Sequence, residues 1–135
     1  MKYISSYKVK IINEFKTVNQ TVCVYQRAVK YIIDVSLKEY ENIKGLSSNS
    51  AMSYIEKLIH ATSSREAKYK GFNQKFYKMP SYLRRNAIIS ANAIVKSYKS
   101  QLQHWQINGG IGKKPKLNRN QLSMPCLYRG NMFSL

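Results

Sequence analysis

The sequence predicts a mainly helical α+β unit, three amphipathic helices flanked by short strands at both ends. Three observations lead there. Apolar residues recur every three or four positions over three separate stretches, polar Ser- and Gly-containing connections divide those stretches, and period-two alternation is confined to the two ends. With 135 residues, 44% of them hydrophobic, the chain suffices for one packed core. The expected organisation is an N-terminal strand element over residues 1–15, a helical domain over 16–112, and a C-terminal strand element over 113–135.

The elements follow in order. Tyr7, Val9 and Ile11 alternate with Lys8 and Lys10, as in a half-buried strand. From Val18 the period changes. Val22, Tyr25, Val29, Ile32, Ile33, Leu37, Tyr40 and Ile43 mark one helical face, Thr17 or Asn19 can cap its start, and Gly45 ends it. Serines 47 to 50 introduce a second, shorter helix with Met52, Ile55, Leu58 and Ile59 on its apolar side. Residues 62–78 read as a polar loop anchored by Phe72, Phe76 and Tyr77. Pro80 and Ser81 open the third helix, where Leu83, Ala87, Ala91, Ile94, Tyr98, Leu102 and Trp105 form a core stripe, and Arg85, Asn92, Lys96, Lys99 and Gln103 a polar, cationic one. Gly109, Gly110 and Gly112 break it. Strand-like residues return around Leu122 to Met124 and Cys126 to Tyr128, and Arg129-Gly130-Asn131 can turn a hairpin into the last residues.

A formal charge of +17 opposes compaction unless a polyanion is near. Its distribution is one-sided. All six acids (Glu14, Asp34, Glu39, Glu41, Glu56 and Glu66) lie in the first 66 residues, whereas the rest of the chain has none and carries 13 Lys and Arg. Such asymmetry is the electrostatic footprint of a nucleic-acid partner.

The same scarcity of acids argues against catalysis. Two-metal nuclease chemistry needs several converging carboxylates, and the chain has a single Asp, Asp34, on an apolar helical stretch. Glu39 and Glu41, two apart, do not share a helix face. His60 and His104 have no adjacent nucleophile or orienting acid, so both read as packing or surface residues. Cys23 and Cys126 lack metal-ligand spacing and read as small buried hydrophobes in a reduced compartment. The Gly109 to Lys114 stretch is glycine-rich and basic but is no P-loop, because Pro115 follows and no Ser or Thr succeeds the lysine. No cofactor is expected.

Phosphate recognition suits these residues better. Arg84 and Arg85 stand at a helix N-terminus, where backbone amides and guanidinium groups both favour an anion. Lys96 and Lys99 extend that stripe, and Lys113, Lys114, Lys116 and Arg119 supply a second basic run. Tyr69, Phe72, Phe76 and Tyr77, interleaved with lysines, either stack on unpaired bases or close the core beneath their loop.

In their order, YKVKII, VYQRAVKYIIDVSL, PSYLRRNAIISANAIVKSYKS, GKKPKLNRN and LYRGNMFSL resemble the N-terminal region of TnpB/OrfB-type transposon proteins. The likeness runs from Tyr7 onward and covers about the first third of such a protein. It implies an RNA-guided DNA endonuclease, with residues 1 to about 14 and about 113 to 135 as strands of an incomplete, wedge-like β-barrel around a helical recognition domain. It places Ser81, Arg84 and Arg85 against a target-adjacent DNA duplex and Lys96 and Lys99 on the nucleic-acid backbone. The aromatic of the family's Gly-x-Pro-x-Phe segment is Leu117 here. The family's RuvC-like domain and four-cysteine zinc ribbon fall beyond residue 135, which implies a fragment that binds guide-type RNA and DNA, cannot cut alone, and associates with a separate nuclease part.

The reading from another class is a small basic RNA- or DNA-binding structural protein acting by charge. A membrane partner is not expected, since no stretch approaches the ~18 apolar residues of a span and the cationic third helix is rich in small residues. The expected location is the cytoplasm.

Overall fold

The long apolar stripe of the first stretch folds as α1, Lys16–Lys38. Thr17 and Asn19 both lie inside it, so neither caps its start. The helix stops earlier than its periodicity predicts. Glu39 leaves helical geometry (φ −98°, ψ 10°), and a single further turn, α2 (Tyr40–Ile43), carries the chain on. The cause is the Glu39 side chain, which turns inward as the only buried carboxylate among the described residues. Its Oε1 accepts from Lys68 Nζ at 2.6 Å and Tyr69 Oη at 2.7 Å, and its Oε2 from Asn42 Nδ2 at 3.0 Å and Tyr54 Oη at 3.3 Å. These donors, and above all the Lys68 ammonium, hold its pKa down at about 2.

The serine connection behaves as its composition dictates. Ser47 caps α3 (Ser48–Ile59) by accepting from the Ser50 amide, and Ala51, Ile55 and Ile59 form the buried side. Beyond it, one turn, α4 (Gly71–Lys75), seats Phe72 in the core, where Tyr31, Phe72 and Phe76 pack ring to ring. Pro80 precedes the 27-residue α5 (Ser81–Ile107). Gly109, Gly110 and Gly112 follow with φ between 73° and 86°, conformations that a Cβ disfavours, and they reverse the chain.

In this computed structural model, which describes residues 16–121 and 123–125, α5 is the central helix. It runs in the same sense as α1, with Tyr25 opposite Ser90 and Ser36 opposite Asn92, and antiparallel to α3, whose Glu56 meets Arg84 and Arg85. Sandwiched in this way it buries more than one stripe. Ala87 and Ala91 of the predicted core face are inside, and so is a second row, Arg84, Ile88, Ala91 and Val95. Small alanines admit close approach of α5 to its neighbours, Ile32 and Ile33 of α1 lie in the same core, and each fully buried isoleucine contributes about 1.5–3 kcal/mol.

No strand occurs among the described residues; the nearest feature is an isolated antiparallel bridge between Thr62 and Arg65. The strands and hairpin expected within residues 1–15, at Leu122 and within 126–135 lie outside the described residues. Residues 113–121, expected to begin a strand element, instead form an extended strap across α5 and α1. Pro115 offers no N–H to a sheet, and Asn118 turns the chain by accepting the Asn120 amide on its side chain. No helix among the described residues is long and apolar enough to cross a membrane.

Candidate nucleic-acid interface

The strap is held by side chains along its length. Trp105 Nε1 donates to the Gly112 carbonyl at 3.1 Å, and Lys114 Nζ lies 5.8 Å from the Trp105 ring centre. Lys116 and Leu117 run beside Ser97, Tyr98 and Gln101 of α5, with Leu117 packed on the core. On α1, Arg119 Nε donates to Asp34 Oδ1 at 2.9 Å, Lys30 Nζ to Asn120 Oδ1 at 3.2 Å, and Gln26 Nε2 to the Ser123 carbonyl. The strap therefore descends α1 from residue 34 toward residue 26.

Each described carboxylate has a cation. Asp34 takes Arg119, Glu39 takes Lys68, Glu41 takes Lys44, Glu66 takes Lys70, and Glu56 takes both Arg84 and Arg85. The other described cations, Lys16, Arg27, Lys30, Lys38, Lys57, Arg65, Lys75, Lys78, Lys96, Lys99, Lys113, Lys114 and Lys116, have no carboxylate partner among the described residues, and of these Arg27, Lys30, Lys113, Lys114 and Lys116 are the exposed ones on the strap and on the α1 face where it docks. Together they form one band from the end of α5 to the middle of α1.

The residues predicted to bind phosphate fall into three places. Ser81 is the half-buried first residue of α5. Arg84 does not face outward beside it: the residue is 8% exposed and its Nε bonds Glu56 Oε2 at 3.2 Å. Arg85 is half-exposed and bonds the same oxygen at 3.1 Å, so at this end of α5 two guanidinium groups share one carboxylate and the triad keeps a single positive charge. Lys96 is exposed, and Lys99 Nζ sits 5.1 Å from the Tyr40 ring centre, on a neighbouring side of α5 from the strap. Lys113, Lys114, Lys116 and Arg119 share the strap, Arg119 being matched by Asp34.

Sequence reasoning missed Arg27 and Lys30, which become part of the band only because the strap docks on their helix. The inward position of Arg84 had a visible signal: Ile88, Ala91 and Val95 stand four, seven and eleven residues on, the spacing of one helix face. Of the loop aromatics, Phe72 is in the core, Tyr69 and Phe76 are partly buried against it, and Tyr77 is exposed. Cys23, expected to be buried, is exposed on α1, and Cys126 lies outside the described residues. His60 ends α3 with Nδ1 3.2 Å from Asn73 Oδ1, and His104 is exposed.

Fold and surface together define a basic three-helix unit closed by a cationic strap. The Aq_aa04 family matches residues 5–135, and the chain belongs to that family. No curated protein and no solved structure matches the chain.

Proposed function

We propose that this chain is a nucleic-acid-binding module whose phosphate contacts run along the strap and the outer side of α1. The observation that carries this reading is the docking of the strap on α1: Lys113, Lys114, Lys116 and Arg119 belong to a segment that meets, some eighty residues later, the α1 face of Arg27 and Lys30, with Asp34, bonded to Arg119, as the carboxylate at their junction. The six residues 113–118, ahead of the turn at 119–120, reach about 20 Å when extended, enough for several successive phosphates.

In its finer form the reading is the N-terminal part of a TnpB/OrfB-like RNA-guided DNA endonuclease, with guide-type RNA and a DNA duplex as partners and the cleavage chemistry supplied by a separate nuclease part. The order of long helix, short helix, long helix and basic glycine-containing connection supports it. A second reading, a stand-alone basic protein that holds folded RNA or DNA by charge, is favoured by the strap, which closes the helical unit with Leu117 on its core.

Fluorescence anisotropy across a salt series tests the common claim. About 6–10 phosphate contacts imply a loss of ~10³–10⁵ in affinity between 50 and 200 mM salt. Binding that stays flat over that range overturns it. Competition separates the two forms: a guide-type RNA resists excess transfer RNA in the first and is displaced by it in the second.

A further inference from the structure

The four aromatics of the 62–78 loop part company in the fold. Phe72 is inside and Tyr69 and Phe76 are partly buried against the core, but Tyr77 is 73% exposed, while no other Tyr, Phe or Trp among the described residues exceeds 39%. The turn that presents it is braced on both sides. The Phe76 amide donates to the Phe72 carbonyl at 2.8 Å and the Met79 amide to the Phe76 carbonyl at 3.1 Å, Phe76 and Met79 pack against the core, and Pro80 leads into α5. A tyrosine on such a turn has only its two side-chain torsions to order when a partner covers it.

Tyr77 lines a groove of about 470 Å³ between the first turns of α1 and the start of α5, within the ~300–1,000 Å³ of small-ligand clefts. Met79 and Pro80 give it an apolar side, and Gln20 and Thr21 of α1 a polar one. Lys75 and Lys78 flank the ring, Lys78 Nζ at 5.6 Å from its centre; neither has a carboxylate partner among the described residues, and no described carboxylate lines the groove. Gln20 and Val24 of the groove wall share one face of α1 with Lys16 and Arg27, at successive spacings of four, four and three residues. Arg27 belongs to the cationic band, and the helix from there back to Lys16 covers about 16 Å, so the groove continues the same basic surface.

We propose that Tyr77 stacks on one unpaired base of the bound nucleic acid, a proposal that rests on the reading above. Three features select that occupant. A solvent-facing aromatic ring offers a flat face to another ring, and bases within a duplex already cover one another's faces, so an unpaired base is the one free to take it. Lys75 and Lys78 stand where the phosphates on either side of that base run, and Gln20 and Thr21 offer hydrogen bonds to a base edge, which an acyl chain lacks. The face of Lys16 and Arg27 then leads the same strand on to the band and the strap.

The test measures binding of the full chain to labelled ten-nucleotide oligouridine and to a ten-base-pair duplex, for the wild type, Tyr77→Ala and Tyr77→Phe, with circular dichroism melts establishing that each is folded. Tyr77→Ala is expected to lose about tenfold for oligouridine at an unchanged salt slope, because a ring and not a charge has gone, while Tyr77→Phe keeps wild-type affinity and duplex binding is the same in all three. Wild-type oligouridine affinity in Tyr77→Ala, a loss in Tyr77→Phe as large as in Tyr77→Ala, or an equal loss for the duplex overturns the stacking site, while salt-sensitive binding leaves the broader function standing. A Glu-rich peptide that binds the wild type more tightly than oligouridine does, and loses affinity in Tyr77→Ala, assigns the groove to an acidic protein partner and overturns the site as well. Absence of binding to both nucleic-acid probes removes the site and the broader function together.

Discussion

Arg119 and Asp34 stand 85 positions apart in sequence and 2.9 Å apart in the fold. Their contact marks where the strap meets α1, and both side chains are about half exposed, 47% and 53%. Water screens such a pair, so it contributes less than about 1 kcal/mol to stability. Its larger consequence is electrostatic, because Asp34 neutralises one cation of the band.

Replacing Asp34 with Asn is therefore expected to strengthen nucleic-acid binding at low salt. The freed Arg119 adds about one phosphate contact, and the slope of log affinity against log salt steepens by about 0.9. Anisotropy titrations at four salt concentrations measure it; an unchanged slope removes Arg119 from the interface.

The two neighbouring arginines of α5 are expected to differ. Arg84→Ala leaves Glu56, whose side chain is 17% exposed, without its buried partner and costs about 3–4 kcal/mol, whereas Arg85→Ala, at a 47% exposed side chain, costs less than about 1 kcal/mol. Urea denaturation of the two variants provides the comparison. Equal losses contradict the burial of Arg84.

Glu39 makes stability depend on acid. Its carboxyl titrates at about 2 in the folded chain against an ordinary 4.5, so the folded form holds the ionised state and the stabilisation is fully present above pH 4.5. It declines as pH falls from there toward 2, by about 3 kcal/mol in all. Glu39→Gln has no such group, and the gap between the two proteins in urea midpoints is expected to narrow from pH 6 to pH 2. A constant gap excludes the linkage.

Strap docking has a built-in reporter, the single tryptophan. Gly112 holds φ 86° in open space, so Gly112→Ala strains only the backbone, by about 1 kcal/mol. Gly110→Ala adds a Cβ that meets the Trp105 ring at 3.4 Å as well as a φ of 73°. Trp105 emission is expected to shift toward the solvent-exposed form in both variants, and more in Gly110→Ala. An unaltered spectrum in both shows that the glycines do not govern docking.

Much of the helical scaffold was legible because helix formation is a local matter. The apolar spacing of α1 and α5, the Ser47 cap and the glycines after Ile107 are each written within a few neighbouring residues. The break at Glu39 was not, since it depends on Lys68 and Tyr69, some thirty positions on, supplying donors to a carboxylate inside. Arg84 was read as an outward phosphate ligand for a related reason. Its charge argued for solvent, and its place on the row of Ile88, Ala91 and Val95 decided otherwise once Glu56 of α3 faced it.

By itself the sequence determined that the chain is helical and basic, and that its cations outnumber its acids heavily in the second half. Periodicity and composition are sums over neighbours and need no knowledge of the fold. Only the tertiary structure decided which cations are neutralised and which are gathered, because a charge acts over a few ångströms of space whatever the separation along the chain. The docking of the strap on α1 made Arg27 and Lys30 neighbours of a basic run that begins more than eighty residues later.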